Sequence, residues 1–149
     1  MRIARIAAAA AVAALGATAG SVSPAQAAPV PGPTLLVPAV RAVDSGQPTW
    51  VSAYWGTTGD ICDAKVTVQV ANTAVGYPTN TDTYTSFYRG DTLAAGTYDY
   101  TAFRVTTTTD RTIVRAMHLT VAYRVEDAQG CSGDVQTRTF YASLPVRKV

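Results

Sequence analysis

Few side chains in this 149-residue chain could carry chemistry. His118 is its only histidine and Glu126 its only glutamate. A hydrolase of the Ser-His-Asp kind needs a histidine held by a carboxylate and aimed at a nucleophile. His118 falls in the middle of a strand pattern, on the face of Ala116 and Thr120, where a histidine is structural, and no G-x-S-x-G elbow occurs. Glycosidic cleavage needs two carboxylates facing each other across a cleft. Glu126 and Asp127 are instead neighbours in a turn. Asp60, Asp63, Asn80 and Asp82 offer loop oxygens of the kind calcium takes, without EF-hand spacing. Such residues ordinarily make local turn hydrogen bonds. Arg89-Gly90-Asp91 matches the tripeptide read by animal integrins and is equally a turn sequence. The expectation is no catalytic residue, no metal ligand and no cofactor.

Aromatic residues are the better lead. Trp50, Tyr54 and Trp55 lie close together, and Tyr84, Phe87 and Tyr88 form a second cluster. Aromatics give a large contact area at low entropic cost, so they suit a sugar ring or a partner's anchors. Trp55, Tyr84, Phe87 and Tyr88 are therefore the candidate ligand contacts. In strand spacing Trp50, Ser52 and Tyr54 share one face, while Val51, Ala53 and Trp55 share the other. Val51 and Ala53 are smaller than Tyr54, which predicts Trp50 in the core and Trp55 accessible beside the Gly56 turn.

These residues sit in a chain that begins as an export signal. Residues 1–5 are basic, residues 6–15 form an alanine-heavy apolar run, and Ala25-Gln26-Ala27 supplies an A-x-A cleavage site. Cleavage there leaves residues 28–149, one domain's worth of chain. No later stretch is apolar enough for a membrane span, so a soluble, secreted protein is expected. Without Arg2 and Arg5, ten basic residues face ten acidic ones, and no basic cluster of the kind that grips nucleic acid is present. Cys62 and Cys131 are the only cysteines. In an oxidising compartment a lone pair is read as one disulfide; with a single histidine, the two thiols do not complete a four-ligand zinc site.

Scarce Glu and Lys disfavour helices, and abundant Thr, Val and Tyr favour strands. The apolar pattern has period two. Val66, Val68 and Val70 alternate with Lys65, Thr67 and Gln69; Met117, Leu119, Val121, Tyr123 and Val125 alternate with Ala116, His118, Thr120, Ala122 and Arg124. Further strands are expected near Thr34–Val43, as an edge, and at Thr49–Trp55, Thr83–Tyr88, Thr97–Thr106 and Val135–Leu144. Residues 28–40, rich in proline, read as a flexible lead-in, and 41–149 as a single domain. About seven short strands separated by Gly/Pro/Asp/Thr turns predict an all-β, immunoglobulin-like antiparallel sandwich.

From Cys62 to Val146 the chain resembles the secreted bacterial immunoglobulin-like domains of adhesins and of accessory modules in extracellular enzymes. The resemblance is carried by Ala64–Val70, by Leu93 and Gly96 ahead of Tyr98-Asp99-Tyr100, and by Leu119–Tyr123 followed by a turn and a last strand. It implies the sandwich fold and a binding or spacing role, and it carries over no functional residue. No tryptophan lies between the cysteines, and Gln129 stands where antibody-type domains place a tyrosine. The cysteines are thus expected near strand ends, away from the centre of the sandwich.

The expected function is non-catalytic binding outside the cell or at its surface, toward an extracellular protein or a glycan. The alternatives are a carbohydrate-binding module, or a small protease inhibitor using the Thr73–Asp82 loop. N-terminal sequencing of the protein from the medium should return Ala28 as the first residue; an intact Met1 in the membrane fraction would contradict export by cleavage.

Overall fold

Valine, threonine and tyrosine fill the regular stretches of this chain, and β-branched and aromatic side chains pack best on a pleated, half-buried surface. The computed structural model describes residues 30–149; the expected leader and its expected cleavage site lie outside the described residues. Among the described residues there are nine strands and no helix, hence none long and apolar enough to cross a membrane. They are β1 (Pro33–Leu35), β2 (Val43–Asp44), β3 (Thr49–Thr57), β4 (Ile61–Val70), β5 (Thr73–Gly76), β6 (Tyr98–Thr107), β7 (Ile113–Asp127), β8 (Gly130–Cys131) and β9 (Gln136–Arg147).

Two sheets pack face to face. One has the order β1-β3-β6-β5; the other has β2-β9-β7-β4, with β8 paired to the end of β7. With β1 as A, β3 as B, β4 as C, β5 as D, β6 as E, β7 as F and β9 as G, these are the ABED and CFG sheets of an immunoglobulin constant-type sandwich. The fold expectation holds, and it follows from the strand order of this chain itself.

Both flanks are closed by segments that change sheets. Residues 33–35 pair with β3 on the first sheet, and residues 43–44 run parallel to β9 on the second. The stretch read as one edge strand over Thr34–Val43 is therefore two, because the prolines interrupt the ladder and let the chain cross. The described part of the proline-rich stretch, 30–40, is held by the domain. Tyr123 donates to the Pro31 carbonyl (3.2 Å), Arg138 to that of Val30 (2.6 Å), and the Thr57 hydroxyl to that of Gly32 (3.1 Å). A Cβ on Gly32 would run into the Tyr123 hydroxyl and the Arg138 guanidinium. On the opposite flank, Thr85 bridges to Val66 of the second sheet and Phe87 to Thr101 of the first. The Thr83–Tyr88 strand is thus a crossing segment, whereas β5 forms inside a stretch read as loop.

The inner faces supply one continuous core. Val51, Ala53, Trp55, Thr101, Phe103 and Val105 come from the first sheet; Val66, Val68, Met117, Leu119, Val121, Tyr123 and Leu144 come from the second. Here the expectation for the tryptophans is reversed. Trp55 is 0% exposed and Trp50 is 47% exposed. The alternation along β3 was right, but its core side was not. Small Val51 and Ala53 leave the volume that Trp55 and Phe103 fill. The Trp55 indole N–H donates to the Thr101 hydroxyl (2.9 Å), and its ring meets Phe140 of the other sheet edge-on at 5.2 Å.

Cys62 and Cys131 are bonded, tying the start of β4 to the hairpin after β7, and no cysteine is free. This matches the expected pair and its position near strand ends. Beside Cys62 the β4–β7 register shifts, and Asp63 takes a left-handed φ of 52°, as in a bulge. Asp63 faces solvent there and pairs with Arg124 at 3.3 Å.

Trp55→Ala should cost about 3–5 kcal/mol in denaturant unfolding, as for other buried large aromatics. Trp50→Ala should stay within about 1 kcal/mol of the parent; equal losses would contradict the core assignment. Replacing both cysteines with serine should cost about 2–4 kcal/mol, read as a lower melting temperature.

Candidate binding face

Directly opposed residues on paired strands point to the same side of a sheet. On the outer side of the first sheet, β3 and β6 therefore present four rows: Trp50 beside Arg104, Ser52 beside Ala102, Tyr54 beside Tyr100, and Gly56 beside Tyr98. Trp50, Tyr54 and Tyr98 are exposed. The row of small side chains, Ser52 and Ala102, is a floor between two walls of rings. At about 3.4 Å per residue, Trp50 and Tyr54 stand about 13–14 Å apart along the strand.

The third row continues beyond the sheet. Tyr88 stacks on Tyr100 with ring centroids 4.9 Å apart and planes 16° apart, and Tyr54 lies 6.0 Å from Tyr100 on the other side. The placement of Tyr88 is anchored from below. Its backbone N–H donates to the Tyr100 carbonyl (2.8 Å), and the buried Asp99 carboxylate accepts the Arg89 N–H (3.0 Å) and the Tyr100 N–H (2.7 Å). The Arg89-Gly90-Asp91 tripeptide is the exposed tip of this turn, closed by Gly90 N–H to Phe87 carbonyl at 3.0 Å. Loss of solvent around Tyr100, then the fields of Tyr88, Asp99 and Tyr54, push its phenol pKa above the ordinary 10.0. Tyr100 is therefore an uncharged platform at neutral pH.

Two hollows flank these rows. One, of roughly 570 Å³, lies between β6 and the 78–91 segment, and Asn80, Thr81, Ser86, Tyr88 and Tyr100 are on its wall. The other, of roughly 350 Å³, lies between β3 and the 37–41 segment and touches Arg41, Trp50, Ser52 and Tyr54. Together with the floor they form a trough across the sheet.

The four sequence candidates fare unequally. Tyr88 is 73% exposed and on the face. Tyr84 is half-buried, with the Lys65 ammonium 5.1 Å from its ring centroid, and it lines the larger hollow. Trp55 and Phe87, the latter 3% exposed, belong to the core and cannot stack on a ligand. Phe87 turns inward because it pairs with Thr101 on an inward-facing position of β6. Missed were Trp50, Tyr54, Tyr98 and Tyr100. Arg104 was the available signal. It shares a face with Tyr98 and Tyr100, so that face looks outward, and antiparallel pairing carries the same side to Trp50 and Tyr54.

The remaining candidates stay apart. His118 is exposed on the outer side of the second sheet, edge-on to Tyr141 at 4.8 Å. Glu126 and Asp127 are exposed at the β7–β8 hairpin. Asp60 accepts the Ala95 N–H at 2.7 Å. No group of three or more His, Cys, Asp or Glu side chains among the described residues could hold a metal ion. The Thr73–Asp82 segment lacks the form of a free inhibitory loop: its first four residues are β5, and the Tyr77 hydroxyl bonds the Val68 backbone on both sides.

No protein-family model and no curated protein matches the chain. Among solved structures it is similar to the GAE domain of GGA2p from Saccharomyces cerevisiae, with 9% identity, a TM-score of 0.48, and 71% of this chain and 84% of that one covered. It is also similar to a PapD-like domain of human CEP192, with 9% identity, a TM-score of 0.42, and 89% and 96% covered. A third likeness is to AvmM, which catalyses macrocyclisation in alchivemycin A biosynthesis, with 14% identity, a TM-score of 0.37, and 80% and 89% covered.

Proposed function

We propose that this chain is an exported, non-catalytic binding protein that takes its ligand on the outer face of the β1-β3-β6-β5 sheet. The observation that carries this reading is the continuous ring row Tyr54–Tyr100–Tyr88, with Trp50 facing it across Ser52 and Ala102. Lone exposed apolar residues are common, but contiguous patches mark interaction sites. The core is complete without these rings, so packing does not require aromatic residues at these outward positions. The outer face of the other sheet differs. Its centre is a hydroxyl ladder, Thr67–Thr120–Thr139, with Tyr141 as its exposed aromatic. Action outside the cell is supported by the leader pattern and by a disulfide of the kind that persists in oxidising compartments.

The test is retention of the purified protein on intact cells and on washed cellulose, chitin and peptidoglycan. The parent and Tyr141→Ala should be retained on at least one surface, and Tyr54→Ala/Tyr88→Ala should be lost from it. The proposal fails if no surface retains the parent, or if Tyr141→Ala removes binding while the double variant keeps it.

A further inference from the structure

The trough is not chemically uniform. Its Trp50 wall carries two guanidinium groups, one toward each flank of the sheet. Arg104 is Trp50's cross-strand partner and also pairs with Gly76 of β5. Its guanidinium lies over that glycine, where a Cβ would stand only 3.3 Å from Nε and Nη2. Arg41 approaches from the other side of Trp50 and donates from Nε to the Trp50 carbonyl at 3.1 Å. Both arginines are exposed. Neither takes part in an ion pair: the two salt bridges among the described residues are Arg124–Asp63 and Arg147–Asp44.

Resting on the binding reading above, we infer that the ligand is an acidic glycan, with sugar rings on Tyr54, Tyr100 and Trp50 and with carboxylate or phosphate groups held by Arg41 and Arg104. Flat rings separated by a low floor admit a chain of rings lying along the trough. Arginine's planar fork suits a carboxylate or phosphate oxygen pair. The larger hollow presents Asn80, Thr81 and Ser86, groups suited to sugar hydroxyls.

Binding is measured by following Trp50 emission and by calorimetry, with polygalacturonate, a glycerol-phosphate wall polymer, and neutral xylan and cello-oligosaccharides as probes. The acidic polymers should bind, the neutral ones about tenfold or more weakly, and moderate salt should reduce the difference. Arg41→Gln/Arg104→Gln should lower acidic-polymer affinity about tenfold or more, as expected for lost hydrogen bonds to charged groups. Arg111→Gln, outside the trough, should change nothing. A preference for polygalacturonate or for the phosphate polymer that needs these arginines identifies the source of the acid.

Neutral glycans binding as tightly, or insensitivity to the double arginine change, would overturn the acidic assignment while leaving a binding face. An equal loss in Arg111→Gln would mean non-specific charge attraction and would also overturn it. Retention on cells that needs Tyr54 and Tyr88 but disappears when the cells are treated with protease would replace the glycan with a protein. Dimerisation in ultracentrifugation that Tyr54→Ala abolishes would make the face a self-interface and reject the proposal. Retention on no probe and no cell surface would remove both this inference and the reading beneath it.

Discussion

The burial of Trp55 is the contact on which the outer geometry of this molecule depends. Its ring reaches from β3 of the first sheet to Phe140 on β9 of the second, and its indole N–H is satisfied by Thr101 on the neighbouring strand. A buried indole without an acceptor would be costly, so Thr101 must also face inward. Once Trp55 and Thr101 are inside, the period of two leaves no choice for their neighbours. Tyr54 and Tyr100 must face out, and so must Trp50, Tyr98 and Arg104. The exposed aromatic face is thus the reverse side of a core contact. A one-residue slip of β3 would exchange the two sets.

Asp99 carries that constraint to a segment outside the regular sheet. It is Trp55's cross-strand partner and is buried at the same level. A buried carboxylate needs hydrogen-bond donors, and Asp99 takes them from the Tyr100 and Arg89 backbones. The turn at 87–90 is therefore fastened to the core through a polar group. Its two aromatics are sorted by the strand period, Phe87 into the core and Tyr88 onto the face. Tyr88 stacks on Tyr100 because the same residue pair fixes both backbones.

Much of this was legible in the residues. The alternation of β4 and β7 is unambiguous because charged or polar side chains oppose uninterrupted apolar sets, as Lys65 and Gln69 do to Val66 and Val68. The disulfide was expected from the export-signal pattern and a lone pair of cysteines. The core side of β3 was harder. Both of its faces carry a tryptophan, so hydrophobicity does not discriminate, and the decisive marker, Arg104, sits 54 residues away on a strand whose pairing is non-local. Residues 83–93 were opaque for another reason. Thr83–Tyr88 read as one strand, yet the backbone there pairs in single bridges first with one sheet and then with the other. Such crossings leave no run of alternation. Periodicity can reveal a ladder but not a chain that touches two ladders once each.

The closure of the sandwich also favours a face over an edge for the proposed recognition. Exposed edge strands offer unpaired N–H and C=O groups that capture other chains. Here the N-terminal segment crosses from β3 to β9 on one flank, and residues 84–93 cross from β4 to β6 on the other. Much of the backbone hydrogen bonding at these flanks is thereby used within the domain. Specificity must then come largely from side chains standing on the sheets, and the two outer faces differ in what they hold. One is centred on threonine hydroxyls, which water satisfies fully. The other exposes rings, whose faces water satisfies poorly, beside guanidinium groups with no carboxylate partner among the described residues. Both deficits are relieved by the same kind of ligand, one with an apolar flat surface and an acidic group on a single chain.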